Sequence, residues 1–354
     1  MNNSQHDYIG SVNIGRDLST EIHMFKIDHL MEVTKVFLSG LSPVFVLDSK
    51  VKLYHSYKIP KDDSVSILPV YINEKSKSLD KVYELYSYFY HNTNSSASVV
   101  GVGGGSLLDL VGFSVKTISG DTPLLFIPTT LSSMLAPFIS GKFLVNFDRK
   151  KDFLSVRGSP SITVLDPNFI KTQDAYSLNQ DCLVALSTGL TCEASFYHFV
   201  ENSISLGITN WSDDLLKEFL IQNLWLRIGY GKNIFVGEKM AEIIQTASNL
   251  MIKYSKALGL GIIIELSIAS NYGFLERSVY RKIKHFVTSI LKLDKLPIDI
   301  QSLYQVLNYD DCTFNYSTLK IPILVKPGQI VEIPISIDSI IETVKHLFFE
   351  GLGS

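Results

Sequence analysis

Residues 98–113 read SVVGVGGGSLLDLVGF. An apolar, β-branched run enters three consecutive glycines and leaves into a segment with helical spacing, which opens on Ser106 and carries Asp109 one turn in. Adjacent glycines are expensive in backbone entropy, so bare backbone has a purpose here. A strand, a glycine turn and a helix N-terminus together favour an anion. The turn N–H groups and the helix dipole point at it, and the missing Cβ atoms let a pyrophosphate approach. The glycines are packed together rather than spaced as GxGxxG, so a tight strand-to-helix turn without any ligand stands as the alternative reading.

Outward from this stretch the first half of the chain alternates. SPVFVLD (42–48), VSILPVYI (65–72), SVVGV (98–102), PLLFIP (123–128) and SITVLDP (161–167) are strand-like runs, while 79–92 and the segment after the glycines have helical spacing. Strands alternating with helices imply parallel pairing through right-handed crossovers. Gly141–Phe147 reads as a hairpin inserted in that scheme. From about Ser177 long amphipathic segments take over, at 178–204, 213–228, 238–257, 262–272 and 279–291. Strand-like pieces return at 319–325 and 329–335, before a last helix at 339–349. The expected fold is an α/β N-terminal dinucleotide-binding domain, residues 1–175, followed by a mainly α-helical C-terminal domain, residues 176–354.

The 354 residues suffice for two separate cores, and 46% apolar against 19% charged residues is an ordinary globular balance. A net charge of −3, spread along the chain with no basic face, argues against a nucleic-acid partner. Cys182, Cys192 and Cys312 show neither paired nor CxxC spacing, which suits a reducing compartment. MNNSQHDYIG lacks the basic and apolar regions of a signal peptide. The longest apolar run, Gly259–Ala269, is interrupted by Glu265 and is too short for a bilayer. These features predict a soluble cytoplasmic protein with no membrane contact.

VGGGSLLDLVGF (102–113), PTTL (128–131), GKFLVN (141–146) and VLDPNFIKT (164–172), in this order and spacing, resemble the dehydroquinate synthase family of sugar-phosphate cyclases. VLDSK (46–50) and EKSKSLD (74–80) fit the family's early strand end and its Glu-x-x-Lys-Ser-Leu segment. The resemblance is good from about residue 45 to 200 and loose beyond. The GGGSxxD element also fits iron-dependent alcohol and glycerol dehydrogenases, which share the fold; PTTL followed by GK and VN favours the cyclases. The resemblance implies NAD as cofactor, a homodimer, and a small-molecule substrate in an interdomain cleft. It implies that Asp48 ends the early strand beside the cofactor, that Glu74 and Lys77 hold the adenosine ribose, and that Gly103, Gly104 and Gly105 cradle the pyrophosphate with Asp109 just inside the helix. Thr129, Thr130, Lys151, Phe169 and Thr172 complete the implied NAD site. Singly each has a plainer reading: Thr129–Thr130 as a helix cap, Lys77 as a solvated charge.

In the family, NAD transiently oxidises a substrate hydroxyl, phosphate is eliminated, the ketone is reduced and the ring closes. A divalent metal held by one glutamate and two histidines polarises the reacting oxygen. Here the glutamate corresponds to Glu193, within STGLTCEASFYHF, but the family's His-Gly-Glu-Ala-Val reads Leu260–Ile264, and its Gly-His-x-x-Gly-His region reads QTASNLMIKYSKA (245–257). Between His198 and His285 there is no histidine. On a continuous helix His198 would lie about 140° and Cys192 about 100° around from Glu193, so neither converges with it on one ion. No metal is expected. The phosphate side is altered as well. The family's arginine falls near Gly120, an aspartate becomes Ala136, an asparagine becomes Asp152, a lysine becomes Phe196, and the late Asp-Lys-Lys reads YDDCTF (309–314). Lys142 is retained.

Two functions follow. One is a redirected, metal-independent enzyme of specialised metabolism. It keeps NAD and acts on a non-phosphorylated substrate by cyclisation, elimination or hydride transfer. Lys142, Glu193 and His198 would be its acid–base groups, and Met134, Leu135, Pro137, Phe138, Phe143, Phe196, Leu260 and Ile262 would line its cleft. The other is a pseudoenzyme that binds NAD structurally and serves a partner. An ordinary sugar-phosphate cyclase is disfavoured by every replacement above.

Overall fold

The computed structural model describes residues 6–13, 17–62, 64–136, 139–231, 234–292, 297–309 and 317–350, without the side chains of 309 and 348–350. Pro137, Phe138 and the segment 310–314 with Cys312 lie outside the described residues. The chain divides into two compact units, residues 1–174 and 175–354.

In the first unit the strands are β1 His6–Asn13, β2 Ser19–Phe25, β3 Ser42–Asp48, β4 Ser66–Val70, β5 Ala97–Gly103, β6 Leu124–Pro128, β7 Lys142–Phe147, β8 Lys150–Arg157 and β9 Ile162–Leu165. The helices are α1 Leu30–Phe37, α2 Ser49–Tyr54, α3 Leu79–Asn92, α4 Gly105–Ile118 and α5 Leu131–Leu135. A sheet of order β1-β2-β9-β6-β5-β3-β4 is parallel from β2 to β4 and antiparallel at β1. Its central strands are buried along nearly their whole length, as helices on both faces require, which is why they read as unbroken apolar runs. Helix α3 turns Val82, Leu85 and Phe89 inward at three- and four-residue spacing. On α4, a Cβ at Gly112 would lie 2.3 Å from the ring of Phe143, so glycine there lets β7 cross the helix.

Two features of this unit differ from the sequence reading. Gly141–Phe147 is not a complete hairpin. Lys142–Phe147 is one strand, paired with Lys150–Arg157 across Asp148 and Arg149, whose φ angles are 46° and 78°. Primed turns of this kind usually carry Asn or Gly, so the Asp-Arg pair gave no signal. The antiparallel β1–β2 pair has mixed polar character and was not read as strands at all.

The second unit contains α6 Ala175–Asp181, α7 Leu183–Cys192, α8 Ala194–Ser205, α9 Asp213–Tyr230, α10 Glu238–Ala247, α11 Tyr254–Asn271, α12 Arg277–Leu291, α13 Ile300–Tyr309, the hairpin of β10 Thr318–Lys326 and β11 Gln329–Ser336, and α14 Ile337–Glu350. Helix α11 is buried from Ala257 to Ala269, and its all-round apolar surface makes it the centre of the unit. The expected helix 178–204 is three helices. Glu193 adopts φ −158° and ψ 123° between α7 and α8, so the helical angles drawn from it to Cys192 and His198 do not apply. The expected helix 238–257 likewise breaks after Ala247, where Asn249 and Leu250 take φ of 52° and 61°.

Candidate functional site

The chain leaves β3 outward to β4, then returns past β3 to β5 and continues to β6. The winding direction therefore reverses between β3 and β5, and in open α/β sheets ligands bind beyond the carboxyl ends of the strands at such a point. Asp48 ends β3 and Gly103 ends β5. A Cβ built on Gly103 would lie 3.2 Å from the Cβ of Asp48 and 2.6 Å from Leu107, so packing alone demands that glycine. One on Gly104 would lie 3.2 Å from Thr130 Cγ2. Gly105 is different: a Cβ there meets no atom within 4 Å, and its φ is not positive. Neither packing nor backbone conformation requires glycine at 105, so the space in front of it, beyond the end of β5, is open. Gly104 is the N-cap of α4 and supplies no side-chain cap, so the first N–H groups of a 14-residue helix face this opening.

Beside the cradle five charged side chains satisfy one another. Lys77, 1% exposed, donates to Asp109 Oδ2 at 3.1 Å and Asp152 Oδ1 at 2.5 Å, and lies 3.4 Å from Glu74 Oε1. Lys151 reaches Glu74 at 3.1 Å and Asp152 at 2.7 Å. Glu74 also accepts from Ser106 Oγ at 2.7 Å and Asn146 Nδ2 at 3.1 Å, and Asp109 accepts from the Leu144 backbone N–H at 3.1 Å. The network thus ties the start of α4 to the β7–β8 hairpin. Burial alone would lower Lys77, but Asp109, Asp152 and Glu74 outweigh it and hold its pKa well above the usual range. Burial opposes the ionised forms of Glu74 and Asp152, but the two lysines keep both carboxyls low. Burial instead raises Asp109 to about 6, with the charge of Asp152 adding to the effect. The plainer reading of Lys77 as a solvated charge is therefore wrong: it is an interior cation. Asp152 likewise does more than remove an asparagine, since it bridges both lysines.

Thr130 is the N-cap of α5 in a reciprocal box with Ser133, so its plainer reading is realised, while Thr129 donates its backbone N–H to Gly103 O at 3.0 Å. Thr172 Oγ1 lies 3.1 Å from His55 Nε2, and Phe169 is buried against the His55 ring, with Lys58 5.3 Å above it. Buried Asp166 accepts the Ile27 N–H at 3.1 Å and lies 3.5 Å from Lys58. The sequence reading missed Ser106, Asn146, His55, Lys58 and Asp166. Asn146 and Asp166 stood inside quoted motifs, whereas Lys58 and His55 carried no signal.

Of the acid–base candidates, Lys142 is exposed on β7. Glu193 is exposed in the second unit, with Ser195 Oγ donating to it. His198 is 59% exposed and pairs with Glu201 at 3.5 Å. No hydrogen bond joins these three among the described residues. The expected cleft-lining residues are core instead. Phe143 belongs to the first unit's hydrophobic cluster beside Phe126, Phe196 packs on Phe199 and Phe219, and Met134, Leu135, Leu260 and Ile262 are each at most 1% exposed.

The metal implied by the resemblance does not fit this donor set. Leu260 is an alkyl side chain inside α11, Gln245 gives its amide N–H to Ile252 O at 3.0 Å, and Glu193 stands with a serine. Among the described residues no three His, Cys, Asp or Glu side chains are gathered to hold an ion. One interior charge of this unit is Arg227, which donates to Thr188 Oγ1 at 2.8 Å and Glu238 Oε1 at 2.7 Å and stacks 4.1 Å from the Phe235 ring. Burial pushes the Cys192 thiol up to about 11.

A doubly wound sheet with a glycine cradle at its switch point, followed by a helical unit, defines the class of fold shared by the sugar-phosphate cyclases and the iron-containing alcohol dehydrogenases. Residues 67–180 match the family of 3-dehydroquinate synthase N-terminal domains. The 3-dehydroquinate synthase of Clostridium tetani is 23% identical over 248 residues, 67% of this chain and 66% of that enzyme. The enzyme of Pyrobaculum islandicum is 24% identical over 297 residues, 78% of this chain and 84% of that enzyme. Among solved structures, 2-epi-5-epi-valiolone synthase from Streptomyces hygroscopicus, with NAD+ and Zn2+ bound, superposes with a TM-score of 0.79 at 20% identity, covering 95% of this chain and 98% of that one. The matched segment, these relatives and the shared fold together support a likeness to the dehydroquinate synthase-like sugar-phosphate cyclases. No helix among the described residues is long and apolar enough to cross a membrane.

Proposed function

We propose that this chain is a metal-independent, NAD-binding cyclase relative that acts on a non-phosphorylated small molecule in the cytoplasm. The observation that carries this reading is the glycine run itself: Gly104 leaves the N-terminus of α4 without a side-chain cap, and the space before Gly105 is open, at the switch point of the sheet where ligands of such folds bind. NAD would be held at its pyrophosphate by the N–H groups of Gly103–Gly105 and at its adenosine side by Asp48 and the exposed edge of Glu74. Thr129, Thr130, Lys151, Phe169 and Thr172 would stand around the remainder. Burial raises the Asp48 carboxyl above its usual range, which suits a group placed against a ligand rather than in bulk water. Lys77 and Asp109 act from behind, fixing Glu74 and the first turn of α4.

NAD, when bound, supplies a hydride acceptor or donor. As acid–base groups we assign the exposed Lys142 of the first unit and the exposed Glu193 and His198 of the second, with Glu201 paired to the imidazole of His198. Apolar Phe196 and Leu260 stand where the family has a cation and a metal ligand, so a charged phosphate ester loses its counter-charges.

Calorimetric titration with NAD tests the reading. The wild type is expected to saturate, and Gly104→Asp, which adds bulk and negative charge at the cradle, to abolish binding. No heat of binding at millimolar NAD would overturn it. The pseudoenzyme alternative draws on the closed charge network, in which Lys77, Asp109 and Asp152 spend their charges on one another. Appearance of reduced-nicotinamide absorbance with any member of a polyol panel would exclude it. The family also implies a homodimer, which sedimentation equilibrium checks.

A further inference from the structure

Two segments that leave different strands meet beyond the carboxyl edge of the sheet in the first unit. Asp48 ends β3 and is followed by α2 and then His55, whereas β9 runs into a tight helical turn at Pro167–Thr172. In the sheet β9 and β3 are separated by β6 and β5, yet His55 Nε2 lies 3.1 Å from Thr172 Oγ1. His55 is buried, its ring set edge-on to that of Phe169, while Thr172 is exposed.

Counting donors and acceptors fixes the direction of that contact. A hydroxyl has one proton and two lone pairs. Thr172 Oγ1 donates its proton to Phe169 O at 3.1 Å, so toward His55 it accepts, and His55 Nε2 carries the hydrogen. His55 Nδ1 is then a bare lone pair, buried and without a partner. A second ring proton would have no acceptor there, so the imidazole is held neutral and in one tautomer. Its surroundings agree. Burial first, and then the charge of Lys58, keep the imidazole below its usual range, against the opposing pull of Asp166 and the Phe169 carbonyl. One lone pair of the Thr172 hydroxyl remains, and its proton cannot turn outward without giving up Phe169 O. In the proposed cofactor site Asp48 and Glu74 are carboxylates, suited to accept from ribose hydroxyls. The donor that adenosine has left is the exocyclic amino group of adenine.

We propose that His55 is a positioning residue for the cofactor site: it locks the Thr172 hydroxyl as an acceptor, and Thr172 thereby selects a purine bearing an exocyclic amino group over one bearing a carbonyl in its place. The inference rests on the placement of Thr172 at the dinucleotide, and His55 acts through Thr172 alone.

Calorimetric titration with NAD and with nicotinamide hypoxanthine dinucleotide, which carries the carbonyl, tests this. The wild type is expected to bind NAD about tenfold more tightly, the difference made by one hydrogen bond and one clash of acceptors. Thr172→Val should bind the two alike. His55→Phe keeps a ring against Phe169 but has no N–H, so the hydroxyl is freed and the preference should fall toward unity. His55→Gln, whose amide supplies an N–H, should retain it. A purely structural role of His55 would weaken both dinucleotides in parallel and leave their ratio unchanged, which would overturn the proposal. So would the opposite ring tautomer in the imidazole nitrogen NMR spectrum of the free protein. Equal affinity of the wild type for both dinucleotides overturns this inference alone, whereas binding of neither overturns the cofactor reading with it. A thermal melt of each variant alongside the titration ensures that the ratios are read on folded protein.

Discussion

Lys77 shows how a single residue carries both structure and site. Three carboxylates, Glu74, Asp109 and Asp152, surround two lysines, Lys77 and Lys151, so the buried network holds one negative charge in excess. The excess falls on Asp109, raised to about 6 by burial and by Asp152. A carboxyl raised in the folded state binds its proton more tightly there than in the unfolded chain. It therefore adds stability below the unfolded value, and this fades as pH rises through about 6. Glu74 and Asp152, held low, act the other way: their contribution is present above the unfolded value and is lost as pH falls toward acid. Stability is expected to peak between about pH 4 and 6 and to fall by on the order of 1–2 kcal/mol toward pH 8. Asp152→Asn leaves two cations against two carboxylates and keeps a residue that tolerates the φ of 53° at this position. The variant should flatten the decline, as urea midpoints across that range would reveal; an unchanged slope would mean that excess charge does not set the Asp109 proton. None of this was legible in the sequence beyond the Glu-x-x-Lys spacing. The partners of Lys77 come from 32 and 75 residues away.

At the scale of elements, the two units differ in what the sequence reveals. Parallel strands covered on both faces must be apolar throughout, so β3, β5, β6 and β9 announce themselves, and the glycines after β5 stand out because no other residue substitutes for bare backbone. Helix breaks without proline or glycine leave no such mark. The turn at Glu193 lies inside a run that reads as continuous helix, and only Asn249, a residue tolerant of positive φ, hints at the end of α10. Close helix contacts are marked instead by small residues. A Cβ at Gly261 would sit 2.3 Å from Gly237 O, and one at Gly189 would sit 2.7 Å from the Tyr197 backbone. Backbone cannot move aside as a flexible side chain does, so Gly261→Ala should force α10 and α11 apart and destabilise the helical unit by about 3 kcal/mol. Gly120→Ala, exposed and with no atom within 4 Å of the added methyl, is the matched control and should be near neutral. Denaturant unfolding of both variants distinguishes a packing requirement from a general dislike of alanine.

For the whole molecule, the family's reaction imposes two requirements that different parts of this chain fail. A metal must acidify a hydroxyl, yet α11 offers Leu260, and Gln245 is engaged with Ile252. Cations must hold a phosphate ester, yet Gly120, Ala136 and Phe196 stand at positions where the resemblance places charged groups, and Phe196 is packed in an aromatic cluster with Phe199 and Phe219. Lys77 does not compensate, because its charge is spent on three carboxylates. Each missing charge-assisted contact weakens transition-state binding by about 1.5–3 kcal/mol, and loss of the metal by several more. Together they amount to on the order of 10 kcal/mol, or about seven decades in rate. Elemental analysis of protein purified without chelator should therefore give far less than one divalent metal per chain. The protein should also release no detectable phosphate from the family's seven-carbon sugar-phosphate substrate, with or without added zinc or cobalt. The two measurements are independent. A stoichiometric metal that disappears in Glu193→Ala would reassign the ligands, and phosphate release at an ordinary turnover rate would remove both the redirected-enzyme and the pseudoenzyme readings. Saturable NAD binding together with neither of these outcomes is the pattern that a retained cofactor cradle and a dismantled metal site require.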